Sequence, residues 1–140
     1  MITVVTGPPC SGKTTYIRHH AKPGDLILDY DHIAQALGSP VAHDHPAWLR
    51  EIAAAAWSAA VDQAIATHGA GRAWIVDSRP TRHRQQAYQR ARAKVIALTA
   101  DRDELHRRAD ADNRGDEGHK RIDDWHAARR NPAPQPRTRW

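Results

Sequence analysis

The sequence predicts an α/β fold: a small parallel sheet with helices on both faces, which together form a three-layer sandwich. Short runs of β-branched and aliphatic residues alternate along the chain with longer segments of helical pattern. Strands that are joined by helices in this way pair in parallel. The chain has 140 residues, which is enough for one compact domain of this kind.

Four short runs have the composition of buried strands, because β-branched and aliphatic residues lie there between turn signals. The turn at Pro23 and Gly24 introduces the second run. The third run contains Trp74 and ends at Asp77. The predicted strands comprise residues 2–6, 25–29, 73–77 and 94–98.

Six segments have helical patterns. The longest begins at Pro46, which suits the first turn of a helix, and its wide apolar stripe is typical of a helix packed on a sheet. Gly38 ends the second helix, and Gly69 and Gly71 end the third. The predicted helices comprise residues 14–20, 31–37, 46–68, 80–93, 101–112 and 118–130. Residues 131–140, with three prolines, two arginines and no acid, predict a flexible basic tail.

The loop after the first strand carries the most specific motif of the chain. Residues 7–14 fit the pattern G-x-x-x-x-G-K-[ST] of a phosphate-binding loop, between a strand and a helix as that motif requires. Its backbone N–H groups surround a polyphosphate. We expect Lys13 to reach the β- and γ-phosphates of ATP and the Thr14 hydroxyl to bind Mg²⁺. The predicted phosphate-binding residues are Gly7, Pro8, Pro9, Cys10, Ser11, Gly12, Lys13, Thr14 and Thr15.

Carboxylates follow the second and third predicted strands, where parallel sheets bind their ligands. Asp77 ends a buried run, so we expect it to bind Mg²⁺ directly or through water. Its alternative role is to cap the helix near Pro80. Asp31 opens the next helix and is the candidate to accept a proton from an attacking hydroxyl, with Asp29 in support. The alternative role of Asp31 is that of a helix N-cap.

A cationic segment follows the fourth predicted strand. Arg107 and Arg114 are seven residues apart, so they share a face if one helix spans both. Arginines stabilise the charge that develops in phosphoryl transfer, and a lid over about residues 101–118 would carry them to the site. The alternative is a solvated surface helix with alternating charges.

Composition indicates an anionic partner. The net charge is +5 and the isoelectric point about 9.9, which favours nucleotide or nucleic-acid binding. Residues 79–94 carry six basic side chains and no acid, and they could follow nucleic-acid phosphates. A solvated helix face is the alternative. The basic residues are Arg79, Arg82, Arg84, Arg90, Arg92 and Lys94, with Tyr88 among them.

Other features predict a cytoplasmic protein. No run approaches 18 apolar residues, and the first strand begins at Ile2, which leaves no room for a signal peptide. The single Cys10 cannot form an internal disulfide. The segment from His43 to His45 has no second ligand cluster at a suitable spacing, which disfavours a metal site there.

Taken in order, these motifs resemble the P-loop kinase domain of phage polynucleotide kinase and the short AAA-type, zeta-toxin-like ATP-binding kinases of bacteriophage genomes. The resemblance extends over about residues 1–130. It implies a P-loop NTPase fold with an arginine-bearing helical lid. The family's general base matches Asp31, its lid arginines match Arg108 and Arg114, and its acidic strand end matches Asp77. The arginine that often follows the base by three residues is here Ala34.

This resemblance implies a kinase that transfers the γ-phosphate of ATP, with Mg²⁺, to a hydroxyl of a nucleic acid or nucleotide. Lys13 and Arg114 would stabilise the transferring group, with Arg108 in support. Three alternatives stay open: a kinase for a small molecule or a modified DNA base, an ATPase or switch without an acceptor, and a non-enzymatic ATP-binding module.

Overall fold

The computed structural model describes residues 1–67 and 71–130. The predicted helix end near His68 and Gly69 and the predicted tail at 131–140 lie outside these ranges. Four strands and six helices follow in the described residues. They are β1 (Ile2–Thr6), α1 (Lys13–His20), β2 (Leu26–Leu28), α2 (Tyr30–Ala36), α3 (Ala47–Ala66), β3 (Ala73–Val76), α4 (Arg82–Arg90), β4 (Lys94–Ala97), α5 (Arg102–Ala111) and α6 (Gly115–Arg130).

The strands form one parallel sheet in the order β2-β3-β1-β4. β1 lies in its interior, with Val4 opposite Ile75 of β3 and Val95 of β4. Because β1 is central, the loop that follows it emerges between the ends of two neighbouring strands. The predicted α/β fold is confirmed.

Helices cover both faces of the sheet. Val4 and Ile75 pack with Val61 of α3 and Tyr88 of α4 in one core cluster. On the other face, Val5 and Trp74 pack with Ile17 of α1. Successive strand residues point to opposite faces, so neighbours such as Val4 and Val5 join different clusters. This alternation produces the three layers.

Two helix boundaries differ from the predictions in ways that matter for the site. α2 begins at Tyr30 and its N-cap is Asp29, whose side chain accepts a hydrogen bond from the Asp31 backbone N–H. Asp31 is therefore inside the helix and is not its cap. α5 ends at Ala111, and Asn113 has a positive φ of 52°. The condition under which Arg107 and Arg114 would share a face, one helix spanning both residues, is therefore not met.

α5 and α6 form a helical hairpin against the phosphate-binding loop. Leu105 and Ala109 of α5 pack with Ile122 of α6, and Cys10 packs against this small cluster. The hairpin thus has its own apolar contacts and a fixed position over the loop. No helix within residues 1–67 and 71–130 is long and apolar enough to cross a membrane.

Candidate active site

A cleft of about 1080 Å³ lies where the loops leave β1, β2 and β3. The phosphate-binding loop forms its floor, and the ends of β2 and β3 supply carboxylates. The loop before α3 and the α5–α6 hairpin supply its other walls. The cleft therefore brings together Lys13, Asp31, Asp77, Arg108 and Arg114, which sequence motifs single out separately.

Glycine allows the phosphate-binding loop to turn tightly. Gly7 has a φ of +137°, and a Cβ built on it would lie 2.3 Å from the Leu98 carbonyl oxygen. A larger residue would have to displace the backbone after β4. Gly12 has a φ of +89° and directly precedes α1. The loop conformation thus depends on glycine at both ends.

Lys13 is a buried cation inside the loop. Its Nζ donates hydrogen bonds to the carbonyl oxygens of Gly7 at 3.0 Å and Pro8 at 2.7 Å. Burial lowers the pKa of Lys13 to about 8. The fold therefore holds an ammonium group in a place where only a strong anion would compensate its lost hydration.

Two further polar atoms at the loop suit an anionic ligand. Among the described residues, Ser11 Oγ is buried without a hydrogen-bond partner, and Arg114 Nε also lacks a hydrogen bond, although it lies 3.5 Å from Asp112 Oδ2 in an ion pair. Buried polar groups are normally paired in folded proteins, so unpaired ones call for a ligand or water. Together with Lys13, they fit the phosphates of a nucleoside triphosphate.

Thr14 is held by a carboxylate at the end of β2. Its Oγ1 donates a hydrogen bond to Asp29 Oδ2 at 3.0 Å, while Asp29 also caps α2. Asp29 is 5% exposed. The sequence predicted a supporting role for Asp29. Its hydrogen bond with Thr14 is consistent with that role, because it orients the hydroxyl that is expected to bind Mg²⁺.

Asp77 occupies the same cleft after β3. Its Oδ2 accepts a hydrogen bond from the Tyr88 hydroxyl at 2.9 Å. Burial raises the pKa of Asp77 above its ordinary value, against the opposing effect of that hydrogen bond. Because Tyr88 is 2% exposed, it is a buried partner of Asp77. The idea that Tyr88 joins an exposed basic patch is wrong.

Asp31 is held by two histidines from the loop before α3. His43 Nδ1 lies 2.9 Å from Asp31 Oδ2, and His45 Nε2 lies 2.8 Å from Asp31 Oδ1. Burial raises the pKa of Asp31, but the two histidine hydrogen bonds together outweigh burial and hold that pKa below its ordinary value. Asp31 is therefore a carboxylate at neutral pH.

The hairpin brings two of its arginines to the cleft. Arg108 Nη1 donates to the Cys10 carbonyl oxygen at 3.2 Å, and Arg114 lines the same wall. Glu104 pairs with both Arg107 and Arg108, but the Arg107 side chain is 68% exposed and does not line the cleft. Arg121 of α6 lies 2.9 Å from Asp44 and so connects the hairpin to the loop before α3.

The basic residues around α4 lie elsewhere. In the described part of the chain, the cleft lining includes none of them. Arg84 pairs with Asp62 at 2.5 Å and its guanidinium lies 5.6 Å from the Trp57 ring centroid. The other basic residues of this segment, which could follow nucleic-acid phosphates, are exposed: Arg79, Arg82, Arg90, Arg92 and Lys94.

Sequence reasoning missed His43, His45 and Arg121. The motif from His43 to His45 was visible, but it was considered only as a metal site. Within residues 1–67 and 71–130, no group of three or more His, Cys, Asp or Glu side chains is arranged to hold a metal ion. His43 and His45 instead contact the two carboxylate oxygens of Asp31. These residues are far from Asp31 in the sequence, so no local pattern predicts the contact.

A phosphate-binding loop between a central parallel strand and a helix, with carboxylates at neighbouring strand ends, defines a P-loop nucleotide-binding domain. The chain belongs to the AAA domain family, whose model matches residues 2–132. No curated protein matches the chain. The family includes kinases and other nucleotide-binding P-loop proteins, and its match does not separate polynucleotide kinases from the rest.

Proposed function

We propose that the protein is an ATP-dependent kinase that transfers the γ-phosphate to a hydroxyl of a nucleic acid or nucleotide. One observation carries the proposal: the phosphate-binding loop with Lys13, Arg114 of the hairpin, and Asp31 with its partner His43 line the same cleft, and His45 holds Asp31 from behind it. A nucleotide hydrolase needs only the phosphate-binding loop and its cations. A carboxylate–imidazole group in the same cleft suits deprotonation of an acceptor.

The cations have separate roles in this proposal. Lys13 binds the β- and γ-phosphates, and Arg114 stabilises negative charge on the transferring group. Arg108 supports both, because its contact with the Cys10 carbonyl fixes the hairpin against the loop.

Thr14 and Asp77 are the residues that would hold Mg²⁺. The ion, when bound, neutralises charge on the β- and γ-phosphate oxygens. Asp29 accepts a hydrogen bond from Thr14 and so orients its hydroxyl. Tyr88 does the same for Asp77 by donating to Oδ2. Both candidate ligands are thus fixed by a neighbour.

A nucleic-acid acceptor is supported by charge. The net charge is +5, and Arg79, Arg82, Arg90 and Arg92 are exposed on and around α4. Phosphate contacts by such side chains give affinity that falls with salt. They lie outside the cleft lining, so they would bind the strand away from the reacting hydroxyl.

An uncharged small molecule is the second candidate acceptor. Ala34 is fully buried where related kinases carry an arginine toward the acceptor. Arg121, which lines the cleft, is paired with Asp44. This pairing leaves less positive charge for a phosphate on the acceptor, which favours a neutral hydroxyl compound.

Transfer of label from γ-labelled ATP tests the proposal. The acceptors are 5′-hydroxyl DNA, 5′-hydroxyl RNA, nucleosides and DNA with hydroxymethylated bases, each with Mg²⁺. We expect label on at least one nucleic-acid or nucleotide acceptor, lost in Lys13→Ala and reduced about 10²–10³-fold in Asp31→Asn. Free phosphate without any labelled acceptor would contradict the kinase, and full activity of Asp31→Asn would contradict the role of Asp31.

A double variant on α4 separates the two acceptor classes. The double variant Arg82→Gln with Arg90→Gln removes two exposed charges of α4. For a nucleic acid we expect a higher KM for the oligonucleotide, a weaker salt dependence and an unchanged KM for ATP. An unchanged KM for every oligonucleotide would contradict α4 as the binding surface.

A further inference from the structure

We propose that His43 is the general base of this kinase and that Asp31 is the positioning residue that holds its ring. The inference rests on the proposed function and makes it more specific. It differs from the expectation drawn from sequence, in which Asp31 itself takes the proton. Four observations about the cluster of Ser39, Asp31, His43 and His45 support it.

The first observation is that both oxygens of Asp31 already accept hydrogen bonds. His43 Nδ1 is 2.9 Å from Oδ2 and His45 Nε2 is 2.8 Å from Oδ1. A carboxylate that receives an N–H on each oxygen is strongly stabilised in its charged form. Such a group orients its donors well, but it has little tendency to take up a proton from an alcohol.

The second observation is that His45 is fully engaged. The residue is 4% exposed, and its Nδ1 lies 2.7 Å from Ser39 Oγ. Ser39 Oγ lies farther, 3.3 Å, from the Val41 carbonyl oxygen. Ser39 donates its hydroxyl hydrogen to that carbonyl oxygen, and Ser39 Oγ and the Asp31 carboxylate together contact both ring nitrogens of His45. Both nitrogens of His45 are thereby used, and this residue supports Asp31.

The third observation is that His43 is placed differently. Its side chain is 32% exposed and lines the cleft. Only its Nδ1 is directed to Asp31. A neutral imidazole that donates from Nδ1 carries its lone pair on Nε2. In a carboxylate–imidazole pair of this kind, the carboxylate fixes the tautomer and stabilises the imidazolium that forms.

The fourth observation is that Arg121 and Asp44 position the segment. Asp44 follows His43 directly and has a positive φ of 55°. Its carboxylate is 2.9 Å from Arg121 of the hairpin. The segment that carries His43 is therefore attached to the same hairpin that brings Arg114 to the cleft.

The step conserves atoms and electrons. His43 Nε2 takes the proton of the acceptor O–H, and that oxygen forms a bond to the γ-phosphorus. The bond from the γ-phosphorus to the β–γ bridging oxygen breaks, and its electron pair leaves with ADP. The imidazolium is stabilised by the Asp31 carboxylate, and its proton passes to water in the open cleft.

Three variants test the proposal in the transfer assay. We expect His43→Ala to lower kcat about 10²–10³-fold with little change in the KM for ATP, and added imidazole to restore part of the loss. His43→Gln keeps an N–H donor for Asp31 but has no basic nitrogen, so we expect it to stay inactive. His83→Ala, at an exposed position of α4, is the control and should retain wild-type kcat.

Wild-type kcat in His43→Gln would overturn the proposal, because a donor alone would then suffice. If the wild-type protein labels no acceptor, the proposed kinase function is contradicted. The Asp31–His43 pair (the dyad) can then be tested separately by ¹⁵N NMR of the histidine rings. A neutral His43 with its proton on Nδ1 supports the dyad. A neutral ring with its proton on Nε2 overturns it.

Discussion

At the scale of single residues, the site contains groups that cost stability in the absence of ligand. Lys13 is the strongest case, because an ammonium group that is 9% exposed has lost most of its hydration and gained only two carbonyl acceptors. Asp77 is a second case, since burial raises its pKa. In the proposed function, the phosphates of the nucleotide would compensate the charge of Lys13, and the metal ion would compensate the charge of Asp77.

Lys13→Met should stabilise the ligand-free protein at pH 7. The pKa of Lys13 falls from 10.5 to about 8 on folding, which corresponds to about 3 kcal/mol at 1.36 kcal/mol per unit. Between these values the unfolded chain binds more protons, so wild-type stability rises with pH. Urea unfolding should therefore show a gain for Lys13→Met that shrinks between pH 7 and pH 10.

The control for this experiment is Lys94→Met, which removes an exposed lysine and should leave the pH dependence unchanged. If Lys13→Met and the wild type had parallel stability curves from pH 7 to pH 10, Lys13 would not be the destabilising group.

Tyr88→Phe should destabilise the protein by about 1–3 kcal/mol, because it removes a hydrogen bond to a charged, partly buried carboxylate. The measurement is the free energy of unfolding in urea at pH 7. Tyr30→Phe is the matched control, since the Tyr30 hydroxyl has a long contact of 3.5 Å to the Arg50 carbonyl oxygen. Equal losses in the two variants would contradict the role of the Tyr88–Asp77 pair.

At the scale of elements, the helical hairpin depends on one glycine. A Cβ built on Gly118 of α6 would lie 2.5 Å from the Cβ of Arg114. Arg114 directly precedes α6, and its side chain occupies the space that a side chain at position 118 would need. Gly118 therefore lets Arg114 reach the cleft while the helix continues beside it.

Gly118→Ala should displace Arg114 and lower kcat for transfer about tenfold or more, since arginines that stabilise transferring phosphates contribute large factors. Ala also favours a helix over Gly by about 1 kcal/mol, so we expect little loss of stability. Gly71→Ala, where the added Cβ meets open space, is the control. Wild-type kcat in Gly118→Ala would show that Arg114 does not act in transfer.

Sequence patterns predicted the elements whose signals are local. The phosphate-binding loop, its preceding strand and Lys13 follow from one short motif. The end of α5 at Ala111 lies one residue before the predicted end at 112. The sequence does not decide whether the helix continues to Arg114, because the turn at Asn113 shows only in its positive φ. The Asp31–His43–His45 cluster was missed, since its residues meet only when the chain folds back before α3.

At the scale of the whole molecule, polar contacts connect the hairpin to separate parts of the domain. Arg108 bonds the phosphate-binding loop at Cys10, and Trp125 Nε1 donates to the Ser78 carbonyl oxygen after β3 at 3.4 Å. Arg121 pairs with Asp44 before α3. The cleft is therefore enclosed by contacts that connect the phosphate side to the acceptor side.

Breaking the Asp44–Arg121 pair should weaken ATP binding by at most about fivefold, since a partly exposed ion pair contributes roughly 0.2–1 kcal/mol. Calorimetry on Asp44→Asn, Arg121→Gln and the double variant measures the coupling. We expect the double variant to bind no worse than either single one. Lys120→Gln, which loses an exposed ion pair within α6, is the control. If the losses of ATP affinity in the two single variants multiplied in the double variant, Asp44 and Arg121 would act independently.

The central claim is that the γ-phosphate goes to a hydroxyl acceptor, so its destination is the most direct measurement. Labelled ATP is turned over with rising concentrations of the preferred acceptor, and the label is divided between acceptor and free phosphate. A kinase predicts that labelled acceptor increases until it exceeds free phosphate, and that Lys13→Ala abolishes both. Label found only as free phosphate, at a rate independent of every acceptor offered, would contradict the account.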